Sequence, residues 1–270
     1  AEAVGAQRRS LSISVRTGEL EEVEREESRD LGLRVFVGQR QATVSGSDIS
    51  AEARAKLVER AVAMARLAPE DPYAGLADPA RLASGARPDL DLYDSTEPSP
   101  VELEARARAA EAAARAVPGV TNSDGGSGSW SSSEWTMVTS GGFAGVHRAS
   151  GFSIGASAIA GDADGMETGY DGRTARWQAD LPSPESLGTE AGRRAAARLG
   201  ARKIASTTAP VIFENRLAGS LMSPLIGAIS GTSIARGTSF LKDKLGQQIF
   251  AKGIVIRDDP HKPRGLGSTP

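Results

Sequence analysis

The sequence predicts an α+β fold of short antiparallel strands with covering helices, and three observations carry that prediction. Residues 10–16 alternate strictly, with Leu11, Ile13 and Val15 against Ser10, Ser12, Ser14 and Arg16, which is the period of a half-buried strand. Two later stretches open with helix-capping residues, Ser50 and Ser99, and repeat apolar side chains at helical spacing. Strand-like runs and helices are segregated along the chain, which favours α+β over a regular βαβ alternation. The 270 residues allow one large domain or two ordinary ones.

After the first strand, Thr17-Gly18 offers a turn, and the acidic stretch 19–27 has no helical stripe. It reads as a strand whose charges protect a solvated edge. Runs at 33–37 and 42–45, separated by Gly38-Gln39-Arg40, complete a meander. Leu57, Ala61, Val62 and Ala65 mark the helix that Ser50 opens and Pro69 stops. Residues 1–68 are therefore one strand-and-helix unit, and the Pro-, Asp- and Gly-rich stretch 69–98 is a connection. Ser99, Pro100 and Glu102 form a capping box with proline at the first helical position, and Pro118-Gly119 closes that helix. Within the central unit, 99–206, strands are expected at 135–140, 151–160 and 167–179, and a helix from Ser183 or Ser186 to Leu199. The Gly/Ser-rich stretch 122–133 reads as a flexible hairpin loop flanked by Trp130 and Trp135. The last unit, 207–270, is expected to hold a strand at 210–213, a helix at 217–229 and a strand at 248–256.

Composition removes several function classes. With 32 Lys+Arg against 34 Asp+Glu and no basic stripe, nucleic acid is a poor partner. No apolar run approaches the roughly 18 residues of a membrane span, and the opening AEAVGAQRRS lacks a signal-peptide core, so the chain reads as cytoplasmic. There is no cysteine, and two histidines, His147 and His261, cannot by themselves build a histidine-rich metal centre.

Individual motifs favour plain readings. Gly151-Phe152-Ser153-Ile154-Gly155 matches a nucleophile elbow, but an alternating strand follows where that motif needs a helix. Asp162, Asp164 and Glu167 cluster as calcium ligands do, yet the order departs from a calcium loop and an Asp-Gly turn accounts for them. Asp258-Asp259-Pro260-His261 reads as an Asp-Pro turn rather than one face of a metal site.

Three segments together are distinctive: residues 10–50, the run GDADGMETGY at 161–170, and ARGTSFLKDKLGQQIFAKGIVIRDDP at 235–260. They resemble the TldD/PmbA family, the so-called modulators of DNA gyrase, in its PmbA (TldE) branch. The resemblance implies a cytoplasmic metallopeptidase system in which a TldD-like and a PmbA-like subunit pair around a chamber that degrades unfolded peptides. The TldD branch carries His-Glu-x-x-x-His on the helix after the strand placed here at 210–213. At those positions this chain has Ser223, Pro224 and Ala228, none of which can ligate zinc or activate water. The resemblance thus implies a non-catalytic subunit with no cofactor of its own, zinc being held by a TldD-like partner. Ser239 and Lys242, just beyond, are expected to touch substrate. The family pattern also implies an opening helix before residue 1 and a β-rich region after residue 270. A binding or regulatory module, acting on gyrase or on a toxin-antitoxin pair without peptidolysis, is the alternative.

Overall fold

The computed structural model describes residues 1–82, 87–163 and 165–270. They divide into two compact units, one of residues 1–201 with 259–270 and one of residues 202–258.

The larger unit is built on a six-stranded antiparallel sheet. Its strands are β1 (Glu2–Arg16), β2 (Glu19–Val37), β3 (Arg40–Gly46), β4 (Val120–Thr139), β5 (Ala144–Asp162) and β6 (Gly165–Ala175), in spatial order β3-β2-β1-β4-β5-β6. Because β1 pairs with β4, the sheet runs unbroken from the first strands to the central ones. The β1–β2 turn has positive φ at Thr17 (52°) and Gly18 (83°), the backbone twist that a tight hairpin requires. Three helices cover one face: α1 (Ala51–Leu67) lies on β2 and β3, α2 (Pro100–Arg115) on β1, β4 and β5, and α3 (Pro184–Ala196) on β5 and β6. Ser50, Ser99 and Ser183 cap them, and Ser99 with Glu102 forms the complete capping box. Glu111 of α2, 1% exposed, accepts the backbone N–H groups of Thr17 (2.6 Å) and Gly18 (2.8 Å) and so fastens the hairpin to the helix layer.

Register sorts the two faces. Leu11, Trp130 and Phe152 stand in one row across β1, β4 and β5 and pack on Leu103 and Ala107 of α2. Ser12, Ser129, Ser153 and Thr174 form a neighbouring row on the other face. A second core joins Ile154, Ala156, Ala158 and Ala160 of β5 to Ala110 and Ala114 of α2 and Leu187, Ala191 and Ala195 of α3.

The Gly/Ser-rich stretch 122–133 is not a flexible loop but the body of β4, paired with β5 and, from Gly126 on, with β1 as well. Its glycines admit a helix rather than a turn: a Cβ at Gly126 would lie 2.3 Å from the Ala107 carbonyl oxygen. The acidic part of β2 is an edge, because β3 pairs only with Leu31–Val37 and residues 19–30 are paired on the β1 side alone. Asp162 pairs with Gly165 across the β5–β6 turn, and Asp164, weighed above as a calcium ligand, lies outside the described residues.

Residues 259–270 are stitched into the larger unit by arginines. Arg264 bonds Asp91 (2.7 Å) and Asp180 (3.0 Å) and stacks over Trp177 at 4.4 Å, while its N–H donates to the Leu90 carbonyl at 2.8 Å. Arg176 donates to the carbonyls of Ser150, Gly265 and Leu266.

Residues 202–258 hold two short helices, α4 (Gly219–Ile229) and α5 (Gly231–Ala235). The strands expected at 210–213 and 248–256 do not form. Ladder pairing stabilises a strand only beside a neighbour, and among the described residues neither run has one. Ile212, Phe240, Leu245 and Val255 are largely exposed, whereas Ala228 and Leu241 are buried.

Candidate functional site

The segment expected to stand where the TldD branch carries its peptidase motif is α4. Ser223 and Pro224 are exposed and Ala228 is buried, 7% accessible. Pro224 sits inside the helix, where it supplies no backbone N–H. Ser239 is also buried; its hydroxyl donates to the Ala228 carbonyl at 2.6 Å and accepts from the Leu241 N–H at 3.0 Å. That hydroxyl ties the chain after α5 back to the end of α4. Lys242 and Phe240 are exposed, and Leu241 is buried. Ser239 and Lys242 thus share one turn, with the hydroxyl spent on backbone partners and the ammonium facing solvent.

A catalytic zinc takes three nitrogen, sulfur or oxygen ligands from protein and leaves one position open. A neutral hydroxyl, an imide ring and a methyl group do not make that set. Among the described residues no group of three or more His, Asp or Glu side chains converges to hold an ion. Ser223, Pro224 and Ala228 do not fit a metal.

The other candidates are scattered through the larger unit. Ser153 lies in the interior of β5 and shares a hydrogen bond with Thr174 across the β5–β6 ladder, so no sharp turn lifts it into a cleft. His147 stands beside Trp135 in the β4–β5 register. Burial, helped by the nearby Arg176 guanidinium, lowers its pKa and favours the neutral imidazole. His261 is exposed and donates its backbone N–H to Asp259 at 3.1 Å, which is the Asp-Pro turn. At Asp94 burial opposes ionisation, but backbone and side-chain hydrogen bonds from Thr96, the Gln178 N–H and the charge of Arg264 outweigh it and lower its pKa. The cluster of Asp91, Asp180 and Arg264, with Asp94 within reach of the Arg264 charge, has no sequence motif. It assembles residues up to 173 positions apart, as in the Arg264–Asp91 pair, and only the fold reveals it.

Three family descriptions match in chain order: PmbA/TldA metallopeptidase domain 1 over residues 1–65, the central domain over 93–199 and the C-terminal domain over 206–270. With a six-stranded sheet under helices and this order of matches, the chain belongs to the PmbA/TldD metallopeptidase family. Within it, the chain is 39% identical over 261 residues to the metalloprotease PmbA of Escherichia coli O157:H7, and 34% identical over 261 residues to a PmbA homologue of Haemophilus influenzae. Each alignment covers 96% of this chain and 58% of the relative, so the chain spans little more than half of these proteins. The fold is shared with a protein described as a modulator of DNA gyrase from Bacteroides thetaiotaomicron, with a TM-score of 0.92 at 22% identity over 99% of this chain and 61% of that one. TldE from Thermococcus kodakarensis shares it with a TM-score of 0.70 at 19% identity, over 90% of this chain and 55% of that one.

Proposed function

We propose that this chain is a non-catalytic, PmbA/TldE-like subunit of a heteromeric cytoplasmic metallopeptidase that degrades or processes unfolded peptides. A TldD-like partner would hold the zinc. The observation that carries the reading is the replacement, on α4, of the expected His-Glu-x-x-x-His by Ser223, Pro224 and Ala228, in a chain 39% identical to a metalloprotease. Its role would then be to bind substrate and complete the site beside the metal-bearing subunit, with the exposed Lys242 proposed as a polar contact for the peptide and Ser239, whose hydroxyl is spent on Ala228 and Leu241, as the residue that holds that turn. The test is elemental analysis of the purified chain after dialysis. Less than a tenth of a zinc per chain is expected, and about one zinc retained with the affinity of a protein zinc site would overturn the non-catalytic assignment.

A further inference from the structure

The β1–β2 hairpin reaches past the strand that supports it. β1 pairs with β4 as far as Val15 and Gly126; next to that last pair, Gly125 has φ +107°, and a Cβ there would lie 2.7 Å from the Val15 carbonyl oxygen. Beyond it, Arg16 and Glu19 face each other in the ladder and close a two-residue turn of Thr17 and Gly18. Such a turn needs positive φ at both positions and suits Asn-Gly, whereas Thr17, branched at Cβ, is strained at its φ of 52°. A strained backbone persists only where its surroundings hold it. Here the holder is Glu111 of α2, 1% exposed, which takes the Thr17 N–H on one carboxyl oxygen at 2.6 Å and the Gly18 N–H on the other at 2.8 Å. Arg16 adds a weaker tie to Asp124, 3.7 Å away, with both side chains at least half exposed. Glu21, just past the turn, lines a groove of about 290 Å³ together with Gly126, Ser127, Tyr170 and Asp171.

We propose that the hairpin tip is a strained strap: Thr17 stores the strain, Glu111 holds the tip down, and release lets residues 16–21 swing away from β4 as a unit while the six-stranded sheet stays paired. Release widens the groove that Glu21 lines, so one side chain of α2 governs how open that groove is. Every part of this device lies in β1, β2, β4, β6 or α2 or in the turn between the first two, and it is independent of any role in peptidolysis.

Amide hydrogen exchange of the full chain tests it, with protection at residues 17 and 18 read against protection at Ile13 and Ala107. Glu111→Gln keeps the side-chain volume but replaces one accepting oxygen by an NH2 group. Protection at 17 and 18 is expected to fall at least about tenfold, the factor of one charge-assisted bond, with Ile13 and Ala107 unchanged. Thr17→Asn relaxes the turn, so it should raise protection at Gly18 on its own and restore most of what Glu111→Gln loses, a rescue that a merely structural bond would not show. The sequence has no cysteine, so nitroxides at Glu21→Cys and Tyr170→Cys read the groove directly, and Glu111→Gln should add a second, longer distance. No loss of protection in Glu111→Gln, a loss spread evenly through β1 and α2, no recovery with Thr17→Asn, or an unchanged nitroxide distance would each overturn the proposal. Should Glu111→Gln fail to fold, Thr17→Asn in the otherwise native chain decides: higher protection at Gly18 supports the strap, and unchanged or lower protection rejects it.

Discussion

Residues 1–201 with 259–270 and residues 202–258 are drawn from one sequence, yet the first builds four buried apolar clusters and the second buries little beyond Ala228 and Leu241. The difference lies in who supplies the neighbours. In the larger unit each strand has its partner within the chain, and helices settle onto strands paved with glycine and alanine. In the smaller one, apolar side chains such as Ile212 (95% exposed) and Leu245 (99% exposed) have no packing partner of their own unit. Amphipathic runs therefore become elements only where the rest of the chain meets them.

The largest expected contrast is between two phenylalanines. Phe152 is 1% exposed in the β5 row beneath α2, and Phe152→Ala should cost about 3–5 kcal/mol in urea denaturation. Phe240 is 75% exposed, and Phe240→Ala should stay within about 0.5 kcal/mol. Equal losses would mean that the smaller unit carries a core after all.

Glycines sharpen the same contrast at smaller amplitude. A Cβ at Gly188 of α3 would lie 1.9 Å from the Ala110 carbonyl of α2, so Gly188→Ala must push the helices apart, at about 1–3 kcal/mol. Gly227 of α4 has nothing within 4 Å of such a Cβ. Gly227→Ala should instead steady the helix by up to about 1 kcal/mol, seen as slower amide exchange across α4.

How much of this was legible depends on whether the signal is local. The alternation at residues 10–16 and the Ser99–Glu102 capping box are complete in a few residues, and both became the predicted elements. The stretch 122–133 misled because glycine serves turns and close packing alike, and only the position of α2 over β4 separates the two. Runs 210–213 and 248–256 have strand composition without ladder partners. At the candidate site, Ser223, Pro224 and Ala228 gained meaning through the family resemblance, since no spacing of theirs carries chemistry.

The smallest expected effect is acid sensitivity. The hydrogen bonds and the Arg264 charge that lower the Asp94 pKa below its ordinary 3.8 favour the folded state while Asp94 is ionised. That contribution is complete above pH 3.8 and is lost as pH falls through the lower folded value. Asp94→Asn should therefore flatten the fall of stability below that pH, measured by urea titration at successive pH values, while Phe240→Ala leaves the profile unchanged.

In the proposed role, peptidolysis needs a metal-bearing partner which this chain completes but does not replace. The direct measurement is cleavage of an unfolded peptide by this chain in its complete polypeptide, by a TldD-like protein bearing His-Glu-x-x-x-His, and by the two co-purified, each with and without added zinc. Activity is expected in the co-purified sample alone, restored by zinc after chelation and unchanged within a few-fold by Ser153→Ala. Zinc-dependent cleavage by this chain alone, or a partner fully active without it, would rule out a non-catalytic subunit role.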